Sequence, residues 1–183
     1  SQPMVKIGTA VTNFALKANL PVEGLIRSTV FDHFCGGVTE EDCSINIEKM
    51  HKYGVHSVLD YSVEGKETEE QFDLVKGKTL KNIEFAKEKG AIPFVVFKPT
   101  GVGRFSLYQK ITEGEALSSN EKSEWITVMN RFDEICSKAS EYDVPVLIDA
   151  EESWMQGAAD ILVEELMEKY NTQKAIVFNT LQM

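Results

Sequence analysis

The sequence predicts an α/β fold built on a parallel sheet, and three observations carry that expectation. Four short apolar runs, at 55–61, 92–97, 144–148 and 175–178, alternate with long segments of helical spacing. Runs such as Ile92 to Phe97 are apolar on both faces, as strands are in a parallel sheet covered by helices. The order strand–helix–strand with long crossovers gives parallel neighbours joined right-handedly. Two architectures fit: a doubly wound open sheet and a (β/α)8 barrel. No glycine-rich phosphate turn comes after the first run, so the dinucleotide fingerprint is missing, which weakens the open-sheet reading.

The elements can be taken in chain order. The opening to about residue 30 has helical patches broken by Pro21 and Gly24, and Gly36-Gly37 marks a stop. Thr39-Glu40-Glu41-Asp42 starts a helix, because a threonine cap with acids in the first turn suits an N-terminus. Ile45, Ile47, Met50 and Tyr53 give that helix an apolar side, and Gly54 ends it. Val55 to Tyr61 reads as the first strand. The next helix runs from about Thr68 to Lys89, with Phe72, Val75, Thr79, Ile83 and Ala86 at helical spacing and Gly90 as its cap. After Ile92–Phe97 comes a polar loop, then a helix near Glu121 to Tyr142 carrying Trp125, Val128, Phe132 and Ile135. Val144 to Ile148 is the third strand. Ser153 to Tyr170 is the last helix, with Ala158, Ile161, Leu162, Leu166 and Met167 on one side, and Ala175 to Phe178 starts the fourth strand.

Composition narrows the function classes. Of the 183 residues, 43% are hydrophobic and 26% charged, which is ordinary for a soluble globular protein. No run approaches the roughly 18 to 20 apolar residues of a membrane span, and the start lacks the basic-then-apolar pattern of a secretory signal. The net charge of −10 argues against a nucleic-acid partner, since such binding needs basic surface to displace counterions. Cys35, Cys43 and Cys136 form no CxxC pair and are odd in number, so free thiols are expected. His33, His51 and His56 lack metal-pair spacing, and no metal site is expected.

The most informative residues are those that close each apolar run. The first run ends in Asp60 with Glu64 soon after, the second in Lys98, the third in Asp149, Glu151 and Glu152, and the fourth in Gln182. In parallel α/β folds the C-terminal strand ends share one rim, where active sites are built. Charged residues also end strands simply because the chain is leaving the core, but four such endings in succession favour a site. Adjacent strands lie about 4.8 Å apart, so an ion pair between Lys98 and Asp149 is expected. Other features take a plain reading: Trp125 and Trp154 as packing, Glu164, Glu165 and Glu168 as a solvated helix face, and Gly101-Val102-Gly103-Arg104 as a flexible loop at the site.

At these residues the sequence resembles the proline dehydrogenases. The likeness is carried by HFCGG at 33–37, VLDYSVEG at 58–65, FVVFKPTG at 94–101, LIDAEESWMQ at 147–156 and VFNTLQM at 177–183. It implies a (β/α)8 barrel of the TIM type, non-covalent FAD, and oxidation of L-proline to Δ1-pyrroline-5-carboxylate with electrons passed to a quinone. It implies that Lys98 meets the substrate carboxylate, that Asp149 is an active-site residue, that Ala150 and Gln182 contact the flavin beside Asp149, and that Glu64 pairs with a later arginine as a substrate gate. The family's fifth strand and its distal arginines would come after Gln182. The chain is therefore expected to supply an N-terminal helical segment, 1–54, and the first half of the barrel, 55–183. The other half would come from a second chain or a further segment, and the isolated half would be inactive. The location expected is cytoplasmic, with a peripheral membrane contact left open, or mitochondrial in a eukaryote. Two rivals remain: a barrel enzyme of the aldolase type using Lys98 as a Schiff-base nucleophile, and an inactive half-barrel.

Overall fold

A computed structural model describes residues 8–9, 14–15, 17–18, 24, 29, 31, 35–61 and 67–183. Most of the opening stretch, with Pro21 and His33, lies outside the described residues, as does the loop carrying Glu64. The chain forms two compact units, residues 1–46 and 47–183.

Helix α1 (Glu40–His51) begins where the acids predict it. The Thr39 hydroxyl accepts from the Asp42 N–H at 3.1 Å, and the Thr39 N–H donates back to Asp42 Oδ2 at 3.3 Å. Gly54, at φ 75°, takes the left-handed turn just past the helix that other residues resist. Ile47 is buried, but Ile45, Met50 and Tyr53 are exposed, so only part of the expected apolar side is covered.

Beyond it, among the described residues, come β1 (Leu59–Asp60), α2 (Glu69–Glu88), β2 (Val95–Phe97), a short 3-10 turn (Pro99–Gly101), α3 (Phe105–Thr112), α4 (Ser119–Tyr142), β3 (Val146–Ile148), α5 (Ser153–Tyr170) and β4 (Val177–Asn179). The sheet is wholly parallel, in the order β1-β2-β3-β4, as the alternating pattern requires. The strands are shorter than the apolar runs. Val55 and Val58, which the sequence placed in β1, are about half exposed, and the edge strand pairs only over Leu59–Asp60.

The pleat sorts the strand residues into two faces. Val95, Phe97, Val146, Ile148 and Val177 are fully buried, and Phe97 meets Phe132 of α4 edge to face at 5.0 Å. The other face carries Val96, Leu147 and Phe178 in one row. Leu147 and Phe178 there are only partly covered, and Phe178 takes an edge contact from Phe94 at 5.3 Å.

The long helices are specified by their caps and stripes. Thr68 caps α2 by accepting from the Gln71 N–H, and Phe72, Val75, Thr79, Ile83 and Ala86 are all buried as their spacing predicts. That helix closes on Lys89 in extended backbone instead of on Gly90. Helix α4 starts two residues before the predicted Glu121, at a capping box formed by Ser118 and Glu121. In α5 Ile161 is exposed, although the stripe placed it with Leu162.

The stretch read as a polar loop contains α3, whose Leu107 and Tyr108 are fully buried. Nor is Gly101–Arg104 the flexible loop expected. It continues from a tight 3-10 turn, Pro99–Gly101. The Tyr108 hydroxyl donates to the Pro99 carbonyl at 2.8 Å, and buried Arg131 donates to the Val102 carbonyl at 3.3 Å while pairing with Glu69 at 2.6 Å and Asp73 at 3.0 Å. A Cβ on Gly103 would lie 2.7 Å from Val128 Cγ2 and 2.9 Å from the Tyr108 hydroxyl. Gly103→Ala is therefore expected to cost about 1–3 kcal/mol by overpacking, read as a lower denaturation midpoint with an unchanged slope.

Helices α3 and α4 are tied by Glu121, which accepts from Lys110 at 2.7 Å and from the Ser118 N–H at 2.9 Å. The Lys110 ammonium, with the Ser118 donors second to it, pulls the Glu121 pKa from its ordinary 4.5 down to about 2. An acid depressed in the fold adds stability above its unfolded pKa and loses it as pH falls toward the folded value. Glu121→Gln should thus flatten the drop in melting temperature between pH 4.5 and about 2, a change that melts across that range would detect.

Candidate active site

All four strands point the same way, so their C-terminal ends form one rim. The pairing of Phe97 with Ile148 sets the next residues, Lys98 and Asp149, side by side, and the Asp149 N–H donates to the Phe97 carbonyl at 3.0 Å. Their side chains form the expected ion pair, Nζ to Oδ2 at 2.7 Å, with about a third of each exposed. The hydrogen bond to Asp149 raises the Lys98 pKa against an opposing effect of partial burial, and the charges of Asp149, Asp60 and Glu151 push it the same way. Lys98 is consequently a firm ammonium at neutral pH. A Schiff-base lysine needs the opposite, a depressed pKa that frees the amine. The rim therefore presents a fixed cation bordered by acids, suited to holding a carboxylate.

Two residues further along both chain segments the same face is joined again. Glu151 accepts from the Thr100 N–H at 2.8 Å and from the Thr100 hydroxyl at 2.7 Å. The Glu151 N–H donates to Gln156 Oε1, Gln156 Nε2 donates to Asp160 Oδ1, and Asn179 Nδ2 donates to the same Asp160 oxygen. The Thr180 hydroxyl donates to the Ile148 carbonyl at 2.9 Å. These bonds lace the ends of β2, β3 and β4 together. Thr100, Gln156, Asp160 and Asn179 were not anticipated from the sequence. The period-2 offset from the Lys98–Asp149 pair to Thr100 and Glu151 was the available signal for the first of them.

Of the other expected site residues, Ala150 comes directly after Asp149 at the strand end and is partly covered. Gln182 lies three residues past the end of β4 and is exposed. Glu64 lies outside the described residues. Trp125 packs edge-on against Tyr108, as read, but Trp154 is half exposed at the start of α5 and does not pack as expected. Burial pushes the Cys136 thiol up to about 12, which leaves it unreactive. Among the described residues no group of three or more metal-ligating side chains occurs, and no helix is long and apolar enough to cross a membrane.

Comparison with known proteins gives the family of the chain. Residues 43–183 match the proline dehydrogenase family. The chain is 34% identical to the carbapenem antibiotics biosynthesis protein CarD of Pectobacterium carotovorum subsp. carotovorum, over 87% of this chain and 43% of that protein. It is 28% identical to mitochondrial proline dehydrogenase 1 of Arabidopsis thaliana, over 98% of this chain and 45% of the relative. With mitochondrial proline dehydrogenase 1 of Dictyostelium discoideum the identity is also 28%, over 89% of this chain and 35% of the relative. The chain thus spans less than half the length of these relatives. A family match covering most of the residues, together with a relative above 30% identity along nearly the whole chain, settles the kinship: the chain belongs to the proline dehydrogenase family.

Proposed function

We propose that this chain carries the substrate-facing rim of an FAD-dependent enzyme that oxidises L-proline to Δ1-pyrroline-5-carboxylate. The observation that carries the reading is Lys98, held as an ammonium by Asp149 at the parallel-sheet rim. Proline is a small zwitterion, and its carboxylate calls for a fixed cation. A cation already oriented by Asp149 binds it without first having to be ordered.

The barrel is part of the same proposal. Residues 55–183 would form the first four βα units of a (β/α)8 barrel, preceded by the helical segment 1–54. In the row Val96, Leu147 and Phe178, the last two are only partly covered, which is the kind of surface that strands across a barrel axis would bury. The rest of the barrel, with its arginines, is then the principal partner of this half.

The donor set at the rim also suits a flavin. Ala150 beside Asp149 has no bulk to obstruct a ring, and the exposed Gln182 amide can both donate and accept. Those residues would hold FAD, which when bound supplies the two-electron acceptor for hydride leaving C5 of proline. Lys98 binds the carboxylate and keeps its charge throughout. The proline nitrogen, an ammonium in the zwitterion, would release one proton to solvent, and the lone pair so freed would form the C5–N double bond as the C5–H bond breaks. A quinone would take the electrons onward, and a location at the periphery of a membrane, cytoplasmic or mitochondrial according to the host, goes with that acceptor. Glu64 is assigned to the substrate gate.

The test uses the purified full-length enzyme: its absorbance spectrum and its proline-dependent reduction of a dye. Flavin bands with proline-dependent turnover support the reading. A colourless protein whose Lys98 is trapped by borohydride with a carbonyl substrate would replace it with the aldolase alternative.

A further inference from the structure

Lys98 is held by more than Asp149. Next in the chain is the Pro99–Gly101 turn, in which the Gly101 N–H donates back to the Lys98 carbonyl at 3.0 Å. On one side the Tyr108 hydroxyl fixes the Pro99 carbonyl. On the other, the Glu151 carboxylate takes both the N–H and the hydroxyl of Thr100, at 2.8 and 2.7 Å. A hydrogen bond to a charged acceptor is about twice as strong as a neutral one, and this carboxylate makes two to a single residue. Glu151 is in turn fixed through its own N–H by Gln156, and Gln156 by Asp160, which Asn179 joins to the end of β4. Glu151 has no hydrogen bond to Lys98 itself, and Lys98 Nζ bonds Asp149.

We propose that Glu151 is a positioning residue for the reaction: by clasping Thr100 it fixes the turn after β2 and so aims Lys98 at the substrate carboxylate. The inference rests on the proline-oxidising reading above and deepens it. Chemistry constrains the role. Each Glu151 oxygen already accepts from Thr100, and an ionised carboxylate has no hydrogen to donate to the proline carboxylate. Its negative charge beside the Lys98–Asp149 pair would repel the substrate carboxylate if it faced it directly. Its effect must therefore pass through Lys98. The charge of Glu151 also adds to the potential that keeps Lys98 protonated.

A double-mutant cycle in the full-length enzyme tests this, with Glu151→Ala and Glu151→Gln each placed in the wild-type and Lys98→Met backgrounds. A displacement of about 1 Å at a reacting centre costs on the order of 100-fold, so Glu151→Ala should lower kcat/KM for proline by roughly 10- to 100-fold. The loss should fall mainly on KM, because the lysine binds the substrate. In the Lys98→Met background the same change should alter kcat/KM by less than about 3-fold, since no ammonium remains to be aimed. Glu151→Gln keeps one acceptor for Thr100 and should recover part of the loss. Flavin content and the circular-dichroism melt, measured for every variant, separate misfolding from misplacement. Equal fold-losses in both backgrounds, or a loss in kcat alone with KM unmoved, would overturn the proposal while leaving proline oxidation standing. A wild-type enzyme that does not oxidise proline would overturn both.

Discussion

Lys98→Met in the full-length enzyme is expected to lower kcat/KM for proline by on the order of 100-fold, with flavin content nearly unchanged. A charge-assisted hydrogen bond contributes about 1.5–3 kcal/mol, and each 1.4 kcal/mol is about tenfold in a rate ratio. Methionine keeps the length and apolar stem of the side chain while deleting the ammonium. Stability should fall much less than the deletion of a buried charge would suggest. With roughly a third of both partners exposed, water can take over the Asp149 carboxylate, and pairs of that kind are worth about 1 kcal/mol or less. Steady-state kinetics, a flavin spectrum and a melting curve on one preparation check all three parts. Lost flavin with unchanged proline kinetics would mean that the lysine serves the cofactor instead.

The second large effect is structural. Phe132 of α4 is fully buried and meets Phe97 edge to face. Phe132→Ala should cost about 3–5 kcal/mol, the lost transfer energy plus the cavity left behind. That is a large share of the roughly 5–15 kcal/mol that holds a domain folded. Because Phe97 directly precedes Lys98, milder variants such as Phe132→Leu should disturb the rim before they unfold the protein. Denaturant titration measures the first effect, and KM for proline the second.

The parts of this protein that its sequence discloses are those fixed by local rules. The apolar runs, the long helices and the N-caps at Thr39 and Thr68 obey periodicities and cap chemistry that operate within a few residues. The pairing of Lys98 with Asp149 was legible because strand order and strand ends alone place them together. Less legible was whatever depends on distant partners. Helix α3 was hidden because it is eight residues long and Arg104 gives it no side-chain cap, so its stability comes from burying Leu107 and Tyr108. Gly101–Val102–Gly103 looked loose because its composition cannot show that Tyr108 and Arg131 tie its backbone down. The exposure of Ile161, Tyr53 and Trp154 likewise depends on which surfaces meet, and no spacing rule reports that.

The sheet's strand order also bears on how the chain reaches its fold. Among the described residues each strand after β1 pairs with the strand before it in the sequence, and none is inserted between two already paired. Even the contact between Lys98 and Asp149 closes a loop of only 51 residues, much of it taken up by α3 and α4. Loop-closure entropy is thus met in small successive steps. On a ribosome, where residues emerge one after another, β2 can dock on β1 and β3 on β2 without waiting for sequence still to come. The Lys98–Asp149 pair would then form as soon as the third strand has left the exit tunnel.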